Sequence, residues 1–263
     1  MTLLVGIRCE DGVVIASDSA ATFAAGTSFT IGQQNVTKIH KLSDRLVYAS
    51  TGAIGISQVI ISALQTMEKA NYYGKAQTPA EAMITTSKAI ADAVKHMHES
   101  ASRLVSLVGR EEAMMTAVCK SLVAAVVKKQ PSLFQFDYSG APEEVSEDLI
   151  FVALGSGQPL ADPFLALLKR ILWNGRRPKL PEGRFVAAWT IRHVSQTVFG
   201  LVGGPIQMAS LSCDGGGAPH CDMADPAEHD VPIQEAEAAL RNHILPPAVA
   251  GPPAVLPEPP AAG

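Results

Sequence analysis

Residues 1–18 read MTLLVGIRCEDGVVIASD, and this opening predicts a β-hairpin. The first arm is 3–8, a β-rich apolar run, and the second arm is 13–16. Between them, Glu10-Asp11-Gly12 supplies residues typical of a turn between antiparallel strands. The chain therefore begins with a strand pair, and a threonine stands at the head of the first strand.

A second hairpin is predicted from residues 38–41 and 46–50, with Ser43-Asp44 as its turn. Residues 17–32, which separate the two hairpins, are rich in Ala, Thr and Gly and predict a loop or short edge strands. Four strand signals thus precede the first helix. That order favours an antiparallel sheet over the alternating strands and helices of a parallel one.

Apolar residues at helical spacing then predict two pairs of helices, 54–69 with 78–103 and 159–173 with 183–199. The 78–103 helix opens with Thr-Pro-Ala-Glu, a capping box in which a hydroxyl and a carboxylate satisfy free backbone N–H groups. Further strands are predicted at 122–128, 133–136, 149–154 and 206–213. Two sheets and two helix pairs that cover each other predict an α+β fold, a four-layer αββα sandwich.

The composition changes at the C-terminal end of the chain. Residues 1–245 predict a single domain, which ends with a short helix at 231–244. Residues 246–263 are a Pro/Ala-rich tail with seven prolines among eighteen residues. Such a segment neither forms a helix nor pairs in a sheet, so we expect disorder or polyproline II. Both a frayed end and a docking arm fit this composition.

Composition also excludes several classes of protein. Hydrophobic residues make up 47% of the 263 and charged residues 17%, so the chain can bury a core and is not disordered in bulk. The net charge is −4 and no basic stretch stands out, which argues against a nucleic-acid binder. No apolar run reaches the ~18 residues of a membrane span, and the apolar opening is too short for a secretory signal.

The four cysteines form no C-x-x-C pair, which is typical of a reduced, intracellular protein. Cys213 and Cys221, with His220 beside the second, match no zinc-site spacing, so we expect no metal. We expect a cytoplasmic protein.

Thr2 places a hydroxyl directly after the initiator methionine. Because threonine is small, methionine aminopeptidases can remove Met1, which would leave a free α-amine on the same residue. That amine has an unperturbed pKa of about 7.7–8.0, so it can act as a general base for the hydroxyl. A threonine at the second position is common, and by itself it carries little weight.

Four further motifs accompany Thr2: Val14-Ile15-Ala16-Ser17-Asp18, Thr37-Lys38-Ile39, Ser50-Thr51-Gly52 and Val152-Ala153-Leu154-Gly155-Ser156-Gly157. In order and spacing, they resemble the proteasome β-subunit family, which includes the bacterial HslV peptidase and smaller bacterial proteasome homologues. The resemblance covers residues 2–213. It implies the N-terminal nucleophile hydrolase fold and a threonine-type endopeptidase.

Carried over position by position, the resemblance implies a role for each of five residues. Thr2 would be the nucleophile, with its freed α-amine as the proton acceptor. Lys38 would lie close to Thr2 and favour the deprotonated amine and hydroxyl, and Asp18 would hold that lysine charged and oriented. Gly52 would donate its backbone N–H to the oxyanion, and Ser156 would bind the α-amine and relay its proton.

By the same carry-over, a substrate side chain would lodge near Ala21, Thr22, Val36, Ser50 and Ile54. Because this group is mainly small or apolar, we expect it to accept a medium hydrophobic residue better than a charged one.

Each site residue also has a purely structural interpretation, and two family features are missing. Asp18 fits a strand-end turn, Lys38 a solvated strand lysine and Gly52 a turn before a helix. Many family members carry an arginine shortly after the aspartate, whereas residues 18–22 here read Asp-Ser-Ala-Ala-Thr. An Asp and a Ser that precede a late Gly-Gly in proteasome β subunits are also absent before Gly203-Gly204. The acidic stretch 143–148 has no counterpart that we can place.

The resemblance finally implies partners. It predicts a ring-shaped homo-oligomer with internal active sites, a peptide or unfolded protein as substrate and an ATP-dependent unfoldase, without a metal or an organic cofactor. Two alternatives remain open: a catalytically silent ring subunit that keeps Met1 and serves as a scaffold or binder, and a small-molecule amidohydrolase on the same fold. A nucleotide binder is set aside because the Gly155-Ser156-Gly157 turn lacks a Walker lysine and the G-x-G-x-x-G spacing.

Overall fold

The structure is a computed structural model that describes residues 2–25, 28–33, 35–109, 117–146, 148–197 and 202–244. Within 22–25, 28–33 and 106–108 it describes the backbone alone. Met1 and the predicted tail 246–263 lie outside the described residues. The chain divides into two compact units, Met1–Ala227 and Glu228–Gly263.

The strands follow one another as β1 (Leu3–Arg8), β2 (Gly12–Ser17), β3 (Ala21–Ala25), β4 (Ser28–Gln33), β5 (Ile39–Lys41), β6 (Leu46–Gly52), β7 (Cys119–Val127), β8 (Gln130–Phe136), β9 (Pro142–Glu144), β10 (Phe151–Gly155), β11 (Gln207–Cys213) and β12 (Pro219–Asp222). The helices are α1 (Ile54–Lys69), α2 (Tyr72–Lys75), α3 (Pro79–Val108), α4 (Gln158–Leu168), α5 (Leu180–Thr197) and α6 (Asp230–Ile244). A π-helical segment, Lys169–Trp173, continues α4, and a 3₁₀ turn, Pro226–His229, precedes α6.

Two five-stranded antiparallel sheets form the centre of the first unit. The first sheet has the order β10-β1-β2-β11-β12, and the second has the order β5-β6-β7-β8-β9. Strands β3 and β4 pair separately as a two-stranded ribbon. Helices α1 to α3 pack on the second sheet, and α4 and α5 pack on the first. The predicted four-layer αββα sandwich is thereby confirmed.

The N-terminal hairpin is buried on both of its faces, which explains its nearly continuous apolar sequence. On one face, Leu4 and Ile15 join the core between the sheets, together with Leu122 of β7. On the other face, Ile7 and Val14 lie against Gly183 of α5, where a Cβ atom would come within 3.7 and 3.3 Å of their methyl groups. Because side chains alternate along a strand, the hairpin packs on the second sheet with one face and on helix α5 with the other.

Helix α3 begins as its capping sequence predicts. The Thr78 hydroxyl accepts a hydrogen bond from the Glu81 N–H at 3.1 Å, and Pro79 occupies the first turn. In a capping box the Glu81 carboxylate would accept the N–H of Thr78, the N-cap residue. Here it accepts the N–H of the preceding residue, Gln77, at 2.8 Å. The helix continues to Val108, five residues beyond its predicted end.

Other helix and strand boundaries differ from the predicted ones. The differences occur where an element is short or where tertiary contacts determine its ends. Helix α5 begins at Leu180, three residues before its predicted start, and residues 198–199 of that prediction lie outside the described part. Strands β9 and β12 were not predicted, because three or four residues at a sheet edge show no readable period. Part of the acidic stretch that begins at Glu143 is therefore strand, paired with β8.

Candidate active site

The backbone of Thr2 is held at the point where β1 and β10 begin to separate. Its nitrogen donates to Ser156 Oγ at 3.2 Å, and its carbonyl accepts from the Gly157 N–H at 3.3 Å and from Ser156 Oγ at 3.4 Å. Gly155 has a φ of +102°, and a Cβ atom there would lie 2.1 Å from the Thr2 carbonyl oxygen. Only glycine fits a backbone this close to Thr2.

A buried ion pair lies beside this turn. Lys38 Nζ is 2.7 Å from Asp18 Oδ1, and the exposed fractions of the two side chains are 8% and 0%. The same carboxylate accepts N–H groups from Leu3 at 2.9 Å, Ala20 at 3.3 Å and Gly203 at 3.2 Å. Four donors therefore compensate a charge that has no contact with solvent.

The environment of Lys38 has opposing effects on its protonation. Burial lowers the pKa of the Lys38 ammonium below its ordinary value, and the neighbouring Asp18 carboxylate opposes that change. The ammonium is thus paired with the buried Asp18 carboxylate, and it lines the same cavity as Thr2.

A cavity of about 470 Å³ opens onto Thr2. Eight of the sequence-predicted site residues line it: Thr2, Ala21, Val36, Lys38, Ser50, Gly52, Ile54 and Ser156. Asp18 lies behind Lys38 and does not line the cavity. Thr22 belongs to β3, but its side chain is outside the described part of the structure.

Gly52 ends β6, where the chain turns into α1. Its φ is +119°, and a Cβ atom would lie 2.1 Å from the Val118 carbonyl oxygen. The structure thus supplies a backbone reason for glycine at this position, independent of any substrate. The residue nevertheless lines the cavity together with Thr2.

Sequence reasoning missed several residues that line the same cavity, most of them polar. His40 follows Lys38 at the spacing of two that places strand side chains on one face, while Ser57, Gln58 and Ile61 follow Ile54 at helical spacing along α1. Those periods could have identified them. The Ser57 hydroxyl is 2.7 Å from that of Ser50, and burial lowers the pKa of His40 below its ordinary value of 6.5.

Charge inside the cavity is nearly absent. Among the described lining residues, Lys38 is the only side chain with a formal charge at neutral pH, and that charge is paired with Asp18. The lining is otherwise small, apolar or neutral and polar. Such a surface favours an uncharged ligand side chain.

Backbone hydrogen bonds join the turn that follows Asp18 to the loop that carries Gly203. The N–H groups of Ser19 and Ala20 donate to the Gly203 carbonyl at 3.1 and 2.9 Å, and the Gly203 N–H returns a bond to Asp18. The loop that carries Gly203 is therefore tied to the aspartate through main-chain groups. Residues 198–201, just before it, lie outside the described residues.

No group of three or more His, Cys, Asp and Glu side chains within the described ranges is arranged to hold a metal ion. No helix in that part of the chain combines the length and the apolar character that crossing a membrane requires.

Comparison with known proteins gives consistent matches. The model of the family "Proteasome subunit" matches residues 2–170. The proteasome subunit beta of Archaeoglobus profundus is 29% identical over 160 residues, which cover 61% of this chain and 63% of that protein. The proteasome subunit beta 2 of Pyrococcus abyssi is 31% identical over 160 residues, 61% of this chain and 65% of its own length. The match thus spans less than two thirds of these relatives.

Solved structures extend the likeness in fold to nearly the whole chain. Anbu (ancestral beta-subunit) from Yersinia bercovieri has a TM-score of 0.65 at 17% identity, and the match covers 94% of this chain and 99% of that one. Anbu from Hyphomicrobium sp. strain MC1 has a TM-score of 0.60 at 20% identity, over 92% and 96% of the two chains. Because the family model covers well over half of the sequence, this chain belongs to the proteasome subunit family.

Proposed function

We propose that this chain is a threonine-type peptidase, an N-terminal nucleophile hydrolase that cleaves peptide bonds with Thr2 after Met1 has been removed. The observation that carries the proposal is one arrangement. Thr2 lines a cavity of about 470 Å³ with Lys38, its nitrogen is 3.2 Å from Ser156 Oγ, and Lys38 is paired with buried Asp18.

The chemistry follows from these positions. Removal of Met1 converts the Thr2 nitrogen into an α-amine, which takes the proton of the Thr2 hydroxyl as that oxygen attacks the substrate carbonyl carbon. The oxyanion of the tetrahedral intermediate accepts a hydrogen bond from the Gly52 N–H. The C–N bond then breaks, the amine product leaves with the proton, and an ester to Thr2 remains. Water, deprotonated by the same α-amine, releases the acid and restores the hydroxyl.

Lys38 and Ser156 support the base. A nearby ammonium disfavours protonation of the α-amine, so it keeps more of that amine in the free form at neutral pH. Ser156 Oγ holds the Thr2 nitrogen in place and can pass a proton to and from it. Asp18 acts through Lys38, since the carboxylate itself lies outside the cavity.

The substrate side chain before the cut is proposed to enter the cavity between Ala21, Val36, Ser50 and Ile54, with Thr22 nearby in β3. Because Lys38 is already paired, the pocket offers no unbalanced charge to an acidic or a basic residue. A medium hydrophobic residue fits this surface best.

Assembly and location are part of the same proposal. We propose a ring-shaped homo-oligomer in the cytoplasm, with the cavities facing an internal chamber and an ATP-dependent unfoldase delivering unfolded protein. A chamber of this kind would restrict access to peptides and unfolded chains. The proposed cleavage reaction requires neither a metal nor an organic cofactor.

An intact-mass measurement with a peptide epoxyketone tests the proposal, because that reagent needs a hydroxyl and a free amine on one residue. We expect loss of Met1 and one adduct per chain. The Thr2→Ala variant should form no adduct, whereas Thr66→Ala, which changes an exposed threonine in α1, should react as the wild type does.

Other outcomes point to the alternative functions. Retained Met1 without an adduct would refute the peptidase and favour a scaffold or binding subunit. A monomer or dimer that forms the adduct but cleaves small amides rather than peptides would favour an amidohydrolase.

A further inference from the structure

Gln207, the first residue of β11, places its side-chain amide against the segment that carries Lys38. Its Oε1 accepts the N–H groups of Lys38 at 2.9 Å and Ile39 at 3.3 Å. Its Nε2 donates to the Val36 carbonyl at 2.6 Å. One amide thus satisfies three backbone groups in four consecutive residues.

These contacts matter because the segment has no regular structure of its own. Residues 35–38 lie between the β3–β4 ribbon and β5 and belong to neither sheet. The Val36 N–H donates to the Ser19 carbonyl at 3.0 Å, and Ile39 is the first residue paired with β6. Both Val36 and Lys38 line the cavity, so a shift of this segment would move the cavity wall and the ammonium together.

The position of Gln207 connects this segment to the strand that carries Asp18. In the first sheet, Gln207 pairs with Ser17, the residue directly before Asp18. Lys38 instead precedes β5, a strand of the second sheet. The Gln207 amide therefore bridges the two sheets at the point where the two charged partners must meet.

We propose that Gln207 is a positioning residue, which sets where the Lys38 ammonium stands relative to Asp18 and Thr2. The inference rests on the proposed function of Thr2 as the nucleophile. Gln207 is not among the described residues that line the cavity, so the proposed effect passes through its hydrogen bonds to the 36–39 backbone.

The test compares three purified full-length variants by the rate of epoxyketone adduct formation. Gln207→Leu keeps the side-chain size and removes all three hydrogen bonds, whereas Gln207→Glu keeps the acceptor and loses the donor to Val36. Gln135→Leu is the matched control, because Gln135 is also a strand glutamine but pairs with Glu143 in the second sheet.

We expect Gln207→Leu to react about 10- to 100-fold more slowly, because a misplacement of about 1 Å can reduce a rate about 100-fold. Gln207→Glu should lose less, and Gln135→Leu should react as the wild type does. All variants should still reach one adduct per chain. The acid limb of the rate profile should also move to higher pH in Gln207→Leu, since an ammonium farther away depresses the α-amine pKa less.

A wild-type rate and an unshifted pH profile in Gln207→Leu would overturn the proposal. If Gln207→Leu unfolds and loses its adduct to the same extent, the Gln207→Glu variant decides the question. The proposal then stands only if Gln207→Glu is folded, reacts more slowly than the wild type and has a shifted pH–rate profile. If the wild type itself forms no adduct, the peptidase proposal fails instead. Crystal structures of the wild type and Gln207→Leu then decide the positioning role, because an unchanged Lys38–Asp18 contact would refute it.

Discussion

Replacing Asp18 with asparagine removes one charge from the interior and leaves the size of the side chain almost unchanged. The carboxylate accepts four hydrogen bonds, two at each oxygen: Lys38 Nζ and the Leu3 N–H at Oδ1, and the N–H groups of Ala20 and Gly203 at Oδ2. An amide has one acceptor oxygen, so one pair of donors would face an NH₂ group. Lys38 would also lose its counter-charge.

Both losses fall on buried groups, since the exposed fraction is 8% for the Lys38 side chain and 0% for that of Asp18. Breaking a buried ion pair by removing one partner costs about 3–5 kcal/mol, since the remaining charge stays desolvated. We therefore expect the free energy of unfolding of Asp18→Asn at pH 7 to fall by about 3–5 kcal/mol. Urea titrations followed by tryptophan fluorescence, which comes from the two buried residues Trp173 and Trp189, would measure the change.

The matched control is Asp44→Asn. Asp44 pairs with Lys41 at the same 2.7 Å, but its side chain is 61% exposed, so solvent replaces the lost partner. This variant should unfold at the wild-type urea concentration. The reasoning about burial would be refuted if the two substitutions changed the unfolding midpoint equally, or if Asp18→Asn were as stable as the wild type.

The pH dependence of the loss has a definite sign. Because burial already lowers the pKa of Lys38, the unfolded chain binds more protons than the folded one between the two pKa values, and stability from this group rises with pH there. Without Asp18, the pKa of Lys38 in the folded chain falls further. The pH range in which the unfolded chain binds more protons than the folded one then extends further toward neutral pH. The deficit of Asp18→Asn should therefore shrink as the pH is raised from 7 toward 10, and a constant deficit would contradict the assignment.

Three further predictions concern the cavity. Gly155→Ala should reduce the rate of adduct formation at least 10-fold, because its Cβ atom would collide with the Thr2 carbonyl, whereas Gly215→Ala, with open space around it, should match the wild type when both are measured by intact mass. Fluorogenic peptides with leucine before the cut should be cleaved faster than those with lysine or glutamate, and faster cleavage of either charged peptide would refute the neutral pocket. As the pH falls below the ordinary His40 value of 6.5, that ring gains a proton and the glutamate peptide should improve relative to leucine, an improvement that His40→Gln should abolish.

Several features of the fold were predictable because their causes are local. Helix α1 occupies the residues that its apolar spacing predicts, and α3 begins at the Thr78 cap. The N-terminal hairpin matches its predicted first arm residue for residue. Short edge strands such as β9 and β12 were missed, since their pairing depends on a neighbouring strand rather than on their own sequence.

The candidate site was predictable in a different way. The assignment of Asp18, Lys38 and Ser156 came from a family resemblance and not from spacing, because no local pattern brings residues 18 and 38 together. The cavity also includes His40, two residues after Lys38, and Ser57, three residues after Ile54 in α1. Those spacings could have been noticed once Lys38 and Ile54 had been chosen. Gln207 had no signal at all, since a glutamine at the start of a strand is ordinary until the opposing backbone is known.

The amino-acid sequence by itself determined the order of the longer strands and helices, a β-hairpin at the N-terminus and a threonine at its head. Hydrophobic period, turn residues and helix caps act over a few residues, and their effects can be read directly. The tertiary structure alone decided that Ser156 meets Thr2 across 154 residues and that Gln207 reaches Lys38 across 169. Ser156 meets Thr2 because β1 and β10 pair within the first sheet, and Gln207 reaches Lys38 because the two sheets stack face to face. Strand pairing and sheet stacking are properties of the whole core rather than of any one segment.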